Sequence, residues 1–397
     1  MQVAERMSRL GTETAFAVSG EAATFAAAGN RVFPFHLGDM NLPTPSTVVD
    51  GAFKAIADGK TGYCPNAGIP ELREAVAADI SASRRHEYTM ENVVVQPGGK
   101  PTIGKFLNAV MNPGDEVLYP NPGYPIYESQ IEFLEGVAVP YGYIAVENNF
   151  DIDFDSIDRG LSDKTRILIL NDLQNPNGAE LSDDQRSRLA ELVRDHDLYV
   201  LCDEAYFDIR YEGRSKSFVE EDGIAERSVI LHTFSKKFAM TGWRLGASIG
   251  PSEIVEAIAK ININDESCSN HFVQWAGLAG LQGDQSEVRA IVDTLQERRD
   301  VAVAGLNAID GITCVSPNAT FYLFPNVTEV MRRKGLGDYD EFRKQALVDT
   351  GVSFTTRLHF GRAVAGETER YARFAYSGID VAEIEEAMVV FRSWCEA

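Results

Sequence analysis

Residues 228–250, SVILHTFSKKFAMTGWRLGASIG, carry the pattern that decides the fold. Positions 229–234 form an apolar and β-branched run without polar alternation, which is typical of a buried strand in a parallel sheet. The strand should end near Ser235 and Lys236, and open α/β sheets place their ligands at the carboxyl ends of such strands. On its own, a Lys236-Lys237 pair is more often a solvated strand end than a site. The stretch therefore predicts a buried strand that ends in a candidate functional lysine.

Further apolar runs alternate with helical segments along the chain. They span residues 93–96, 116–119, 166–171, 198–203 and 245–250. Strands separated by crossover helices indicate a largely parallel sheet covered on both faces, so we expect an α/β fold. Glycines, prolines and polar residues follow the runs and should meet at one edge of the sheet, where a cofactor site is expected.

Composition narrows the classes of partner. The net charge of −22 over 397 residues repels phosphate backbones and anionic membranes, so we expect neither nucleic acid nor membrane as a partner. The five cysteines are scattered without a paired motif, which argues against disulfides and a structural metal site. The N-terminal residues show no apolar core of signal-peptide length, and no run approaches about eighteen apolar residues. We expect a cytoplasmic protein.

The pattern changes after residue 285. A long charged helix over 285–308 leads into shorter, mixed elements. Strands are predicted over 313–315, 321–324, 351–355 and 371–376, with helices over 339–349 and from residue 381. We expect a large domain over residues 49–285 and a small domain formed by 286–397 together with the N-terminal arm, 1–48.

The stretch around Lys236 also carries a recognisable motif. Thr233-Phe-Ser-Lys followed by Phe-Ala-Met-Thr-Gly-Trp-Arg244-Leu-Gly resembles the signature of the class I and II aminotransferases, which are fold-type I enzymes dependent on pyridoxal 5′-phosphate (PLP). The resemblance implies that Lys236 holds PLP as a Schiff base. It also implies that Arg244 and Thr233 bind the PLP phosphate. The resemblance covers essentially the full chain. The fold of the family, which it implies for this chain, has a mostly parallel large-domain sheet and a smaller α/β domain from both termini.

Other motifs of the family recur in order and imply further roles around PLP. Asp203, in Asp-Glu-Ala-Tyr, would partner the ring nitrogen, and Tyr206 and Asn175 would hydrogen-bond the phenolate oxygen. Asn175 stands in Gln-Asn-Pro-Asn-Gly, where the family prefers threonine at position 177. Tyr124, in Pro-Gly-Tyr-Pro, matches the aromatic residue that stacks on the ring. As isolated residues, the acid would often be a helix cap and the tyrosine a packing residue.

The phosphate also needs donors from a second element. Gly98, Gly99 and Lys100 precede a predicted helix that runs to about residue 111, and free amides at a helix N-terminus bind phosphate. Tyr63, in Tyr-Cys-Pro-Asn-Ala-Gly, matches the family tyrosine that reaches the partner subunit's cofactor phosphate. We therefore expect a homodimer with shared active sites.

The resemblance also implies a substrate site. Arg373 would bind the α-carboxylate, because its planar guanidinium pairs with a carboxylate in bidentate fashion. The backbone amide of Gly38 would face the same group, and Lys100 matches a lysine that approaches the distal carboxylate of dicarboxylic substrates. Where relatives often read Val-x-Pro-Gly-x-x-Phe-Gly, this chain has Phe-Thr-Thr-Arg-Leu-His-Phe-Gly. Arg357 offers a second distal cation, and Arg357 and His359 are expected to shape the pocket.

These observations predict a PLP-dependent aminotransferase that moves an amino group from aspartate or glutamate to a 2-oxo acid such as 2-oxoglutarate. Aromatic amino acids or alanine are alternative donors. A β-lyase, decarboxylase or oxidase could use the same site, since these reactions differ in which substrate bond is aligned with the ring. A remote alternative is a nucleotide hydrolase, because Gly99-Lys-Pro-Thr-Ile-Gly-Lys105 nearly matches a P-loop. The hydroxyl residue required next is replaced by Phe106.

Overall fold

The computed structural model describes residues 3–11 and 14–397. The N-terminal arm expected over residues 1–48 therefore includes four residues, 1, 2, 12 and 13, that lie outside the described part. The strands, numbered in chain order, are β1 (Phe33–Pro34), β2 (Val93–Gln96), β3 (Glu116–Pro120), β4 (Val137–Tyr141), β5 (Tyr143–Val146), β6 (Asn149–Ile152), β7 (Thr165–Leu170), β8 (Tyr199–Asp203), β9 (Ser228–Thr233), β10 (Gly246–Ile249), β11 (Tyr322–Leu323), β12 (Val352–Ser353), β13 (Thr355–Thr356) and β14 (Ala372–Ala375).

Helices of the described chain separate most of these strands. They are α1 (Ala15–Ala27), α2 (Ser46–Ala57), α3 (Pro70–Arg84), α4 (Lys100–Val110), α5 (Ile126–Phe133), α6 (Phe154–Gly160), α7 (Asp183–Asp195), α8 (Phe234–Lys237), α9 (Ser252–Asn264), α10 (His271–Gln282), α11 (Ser286–Asn307), α12 (Thr328–Lys334), α13 (Tyr339–Thr350) and α14 (Val381–Glu396). Local sequence signals set several of the starts. Ser182 and Gln185 form a capping box at α7, and a proline occupies the first turn of α3 and of α4.

The main sheet has seven strands in the order β2-β10-β9-β8-β7-β3-β4. Strands β9, β8, β7, β3 and β4 run parallel, whereas β10 is antiparallel to both of its neighbours. Alternate residues of one strand pack on opposite faces: Ile230 joins one hydrophobic cluster, and Val229 and Leu231 join another. Because both faces are covered, the strands read as continuous apolar runs, and the predicted α/β fold with a mostly parallel sheet is confirmed.

The six predicted runs of this sheet all form strands, within a residue of the expected ends. The edge strand β4 and the β5–β6 hairpin had not been expected. Strand β4 contains Pro140, which weakens a strand signal and is tolerated at a sheet edge. The predicted strand over residues 313–315 is wrong, since only Thr313 forms a bridge there, with Asn326.

A second core surrounds the small sheet β11-β14-β13. It includes Phe354, Phe374 and Phe391, and β1 of the N-terminal segment pairs in parallel with β12. Helix α11 connects the two cores, because Val288 packs in the large one and Leu295 in the small one. The division of the chain near residue 285 stays a prediction. No helix within residues 3–11 and 14–397 is long and apolar enough to cross a membrane.

Candidate active site

A cavity of about 530 Å³ opens at the carboxyl ends of β8 and β9. Its position follows from the sheet, since parallel strands end together and leave a crevice there. Most of the residues singled out in the sequence line this cavity: Gly38, Gly99, Lys100, Tyr124, Asn175, Asp203, Tyr206, Thr233, Lys236, Arg244 and Arg373. Gly98, Tyr63 and Arg357 are not among its lining residues.

Two adjacent lysines have different surroundings. Lys236, in the one-turn helix α8, lines the cavity, and its Nζ donates to the carbonyl of Gly38 at 3.0 Å. The ammonium of Lys237 lies 3.4 Å from Asp79 and 3.3 Å from Asp208. Successive residues of a helix point in different directions, so the two ammonium groups lie in different places. Of the pair, Lys236 presents its amine to the cavity.

Asp203 places a buried acid at the end of β8. The side chain is 5% exposed, and it accepts hydrogen bonds from the Tyr127 hydroxyl at 2.5 Å and the Ala205 amide at 3.1 Å. Burial raises the pKa of Asp203 to about 6, against the lowering effect of these two bonds. When this buried carboxylate is ionised, it lacks the water that would solvate its charge. A positively charged ligand group beside it would therefore bind favourably.

The N-terminus of α4, the last residue of β9 and the residues after it form a site suited to an anion. Gly98 has φ of 94°, and a Cβ there would lie 2.2 Å from Nη2 of Arg244. Thr233 and Ser235 are linked through their hydroxyls at 3.0 Å, and both line the same end of the cavity. Helix amides, two hydroxyls and a guanidinium together are a donor set that fits a phosphate.

Arg373, on β14, faces the cavity from the small-sheet side. Its guanidinium donates to Asn175 Oδ1 at 3.1 Å and to the carbonyl of His36 at 2.8 Å. The rings of Tyr322 and Phe360 lie 4.5 Å from its central carbon. Aromatic faces and hydrogen-bond acceptors hold the fork in one plane, which suits bidentate binding of a carboxylate.

The structure corrects the expectation for Arg357. Its side chain is 1% exposed, its Nε donates to Glu367 at 2.7 Å, and it lines a separate cavity of about 340 Å³. A guanidinium paired with a carboxylate outside the main cavity is not available as a distal cation there. The main cavity is lined instead by His359, two residues further along the same short 3₁₀ segment.

The nucleotide-hydrolase alternative is also contradicted. The stretch that resembles a P-loop is the first half of helix α4, not an open phosphate-binding loop. Its final lysine, Lys105, is 5% exposed and donates to Gln96 at 3.1 Å, Asn262 at 2.8 Å and Glu266 at 2.5 Å. This lysine therefore stabilises the contact of α4 with α9 and lies away from the cavity.

Tyr63 lies on the surface, with 90% of its area exposed. It belongs to the segment between α2 and α3 and does not contact the cavity of its own chain. A contribution of Tyr63 to an active site would thus have to be made to another subunit.

Three tyrosine and asparagine side chains of the site had not been singled out. Tyr127 binds Asp203, and Asn171 donates to the Asp203 carbonyl at 2.9 Å and accepts from the Asn175 amide at 3.0 Å. The Tyr322 hydroxyl lies 2.8 Å from that of Tyr206. Asn171 directly follows β7, so its position at a strand end could have identified it. Tyr127 and Tyr322 carry no comparable signal.

Comparison with known proteins identifies the family. The family model for aminotransferase class I and II matches residues 32–391. The chain belongs to the class I and II aminotransferases. The aspartate aminotransferase of Bacillus subtilis is 29% identical over 363 residues, with 91% of this aminotransferase and 92% of the relative covered. A probable aspartate/prephenate aminotransferase of Aquifex aeolicus is 31% identical, with 84% and 85% covered.

Solved structures agree with this family. The aspartate aminotransferase of Thermus thermophilus with maleate has a TM-score of 0.89 at 28% identity, covering 99% of this chain and 100% of its own. An alanine aminotransferase from Pyrococcus furiosus has a TM-score of 0.90 at 26% identity, with complete coverage of both chains. The fold-type I architecture and the aminotransferase activity expected from the sequence are thereby confirmed.

Proposed function

We propose that this aminotransferase uses PLP to move the amino group of aspartate or glutamate to a 2-oxo acid such as 2-oxoglutarate. The observation that carries the proposal is the meeting of three chemistries in one cavity. These are the amine of Lys236, the buried carboxylate of Asp203 and the anion site beside Arg244. PLP presents a matching aldehyde, ring nitrogen and phosphate.

The residues present fit this cofactor group by group. Asp203 would accept a hydrogen bond from the protonated ring nitrogen. Asn175 and Tyr206 would donate to the phenolate oxygen, and the ring of Tyr124 would cover one face. The phosphate would be bound by Arg244, by the backbone of Gly98, Gly99 and Lys100 at the start of α4, and by the hydroxyls of Thr233 and Ser235. When bound, PLP supplies an electron sink that stabilises negative charge developing at the substrate Cα.

Substrate handling falls to the residues on the other side of the cavity. Arg373 would bind the α-carboxylate in bidentate fashion, with the backbone at Gly38 beside it. Lys236 would move a proton at the substrate Cα as an amine base, and its present hydrogen bond to Gly38 already holds Nζ between the two walls. In this arrangement Arg373 would orient the substrate with its Cα proton toward Nζ.

A dicarboxylic donor is supported by the relatives, several of which are named aspartate aminotransferases. Within this chain, Lys100 lines the cavity with its ammonium 5.7 Å from the ring of Tyr124. A cation at that position is suited to a distal carboxylate. Alanine and aromatic donors are the competing classes, and the experiment below separates them.

We further propose a homodimer located in the cytoplasm. Phe53 is 68% and Ile56 44% exposed on α2, and the exposed Tyr63 follows that helix. Apolar side chains concentrated on one face favour a contact with a second copy. The cysteines of the described chain are unpaired, as is usual in a reducing compartment.

The visible absorption spectrum of the purified protein, recorded before and after addition of L-aspartate without an oxo acid, tests this function. We expect the yellow colour of lysine-bound PLP to disappear as the amino group is transferred, and to return with 2-oxoglutarate. Colour that responds to alanine or phenylalanine and not to aspartate would replace the dicarboxylate assignment. A protein without colour after incubation with PLP would contradict the cofactor assignment.

A further inference from the structure

The cavity wall opposite the main sheet carries a histidine that the roles above do not use. His359 lies in the short 3₁₀ helix Arg357–Phe360 and lines the cavity. The next residue, Phe360, packs its ring 4.5 Å from the guanidinium of Arg373. The short helix is thus placed where a substrate bound through its α-carboxylate would pass.

Hydrogen bonds at the start of this helix determine which ring nitrogen carries the proton. The backbone N–H of Thr356 donates to Nδ1 of His359 at 3.1 Å, and the Thr356 hydroxyl lies 2.9 Å from the same atom. The Thr356 carbonyl oxygen, 3.3 Å from Nδ1, could bond only to a protonated Nδ1, whereas the closer backbone N–H can only donate to an unprotonated one. Nδ1 without a proton keeps the two shorter contacts, with the backbone N–H and the hydroxyl, and gives up only the longest. The neutral ring therefore carries its proton on Nε2.

The ring is neutral near physiological pH. Burial, followed by the nearby guanidinium of Arg343, lowers the pKa of His359 to about 4. All polar contacts of the ring within the described residues are made at Nδ1. His359 can therefore offer the Nε2–H as an uncharged donor, which needs an acceptor when water is displaced from the cavity.

Other polar residues of this part of the lining are already engaged. Asp39 accepts from the Thr241 hydroxyl at 2.6 Å, and the hydroxyls of Tyr322 and Tyr206 share a hydrogen bond. PLP and the α-carboxylate account for most of the remaining groups. His359 is therefore a further candidate, beside Lys100, for binding a polar group at the far end of a substrate.

We propose that the Nε2–H of His359 donates a hydrogen bond to a distal carboxylate oxygen of the amino donor. The assignment rests on the proposed function, because it takes Arg373 as the α-carboxylate site. An apolar donor such as alanine would leave the Nε2–H without an acceptor, and a site built to hydrogen-bond a substrate group rejects analogues that lack it. His359 therefore adds to specificity for dicarboxylic amino acids, in the place first considered for Arg357.

Two substitutions separate this role from the structural one. In His359→Asn, the side-chain oxygen can take the place of Nδ1 and accept from Thr356, but no N–H remains at the position of Nε2. In His359→Gln, the longer amide can place an N–H near that position. We expect kcat/KM for aspartate to fall about tenfold or more in the asparagine variant, with kcat/KM for alanine unchanged. The glutamine variant should recover part of the aspartate activity.

Binding to the holoenzyme gives a readout independent of turnover. Succinate and butyrate differ in one carboxylate, and titration calorimetry measures the preference for succinate. We expect His359→Asn to reduce that preference by a similar factor. Equal losses for aspartate and alanine, or unchanged discrimination in both assays, would overturn the role of His359 alone. If the wild-type holoenzyme prefers neither aspartate over alanine nor succinate over butyrate, the dicarboxylate function fails and the His359 assignment with it.

Discussion

The two walls of the cavity are built differently. The wall from the main sheet is formed where buried strands end: Asp203 is the last residue of β8, and Lys236 lies in the one-turn helix α8 directly after β9. The opposite wall comes from strands of two to four residues and a single 3₁₀ turn, which carry Arg373 and His359. Under the proposed function, the first wall holds the cofactor and the second selects the substrate. Substitutions in the first wall should lower activity with every substrate, whereas substitutions in the second should lower it for some substrates more than for others.

The largest effect is expected at Lys236. Lys236→Ala removes the amine that binds PLP and moves the proton, so kcat should fall by roughly 10⁴ to 10⁶ with every donor. Steady-state assays with aspartate and alanine measure this. Lys237→Met is the matched control: it loses its ion pairs with Asp79 and Asp208, so stability should fall while kcat is retained. Comparable losses of kcat in both variants would remove the distinction between the two lysines.

Arg373 tests the substrate wall. Arg373→Gln should lower kcat/KM by about 30- to 1,000-fold through a higher KM, because a buried charge partner for the α-carboxylate is lost. Arg373→Lys should lie between the glutamine variant and the wild type, since it keeps the charge without the planar fork. PLP affinity, measured by absorption titration, should change much less than KM in both, because Arg373 reaches the cofactor residues only through Asn175. A large loss of PLP affinity would mean that the substrate wall also binds the cofactor, which contradicts the separate roles given to the two walls.

Asp203 predicts a pH dependence of stability in the protein without PLP. Its folded-state pKa is raised by burial from 3.8 to about 6, so the folded state binds the proton more tightly than the unfolded state. Stability from this group is therefore highest below about pH 4 and declines as the pH rises through 6.

Asp203→Asn should be more stable than wild type by roughly 2–3 kcal/mol at pH 7, with the difference vanishing near pH 4. The asparagine oxygen can still accept from Ala205 and its amide can donate to Tyr127. Urea unfolding at several pH values measures the difference. If the stability difference between Asp203→Asn and the wild type is the same at pH 4 and at pH 7, the burial argument is contradicted.

The smallest effect is expected at Gly98. A Cβ at this residue would lie 2.2 Å from Arg244 Nη2, so Gly98→Ala should displace the guanidinium and weaken PLP binding about tenfold. Gly335→Ala controls for backbone strain, because Gly335 has φ of 69° and a Cβ there would have nothing within 4 Å. The control should lose about 1 kcal/mol of stability and keep its PLP affinity. Equal PLP affinities in the two variants would count against an anion site at Arg244.

The same contrast explains how much could be predicted from sequence. Each strand of the main sheet is a contiguous apolar run, and its polar residues follow within a few positions, so a local pattern already placed Asp203 and Lys236 at one edge. The edge strand β4 escaped because Pro140 interrupts its pattern.

Contacts of the other wall depend on residues far apart in the chain. Tyr322 meets Tyr206 across 116 positions, and Arg357 is turned from the cavity by Glu367. Which of Arg357 and His359 can bind the distal carboxylate of the substrate also depends on one backbone hydrogen bond, from Thr356 to the histidine ring. Neither composition nor spacing contains that information.

The central claim is that Lys236 holds the cofactor, and chemical trapping tests it most directly. The protein incubated with PLP is reduced with borohydride, which fixes PLP to the lysine that binds it, and the modified peptide is identified by mass spectrometry. We expect modification of Lys236 in nearly every molecule. Modification mainly at Lys237 or Lys100, or none at all, would contradict the claim.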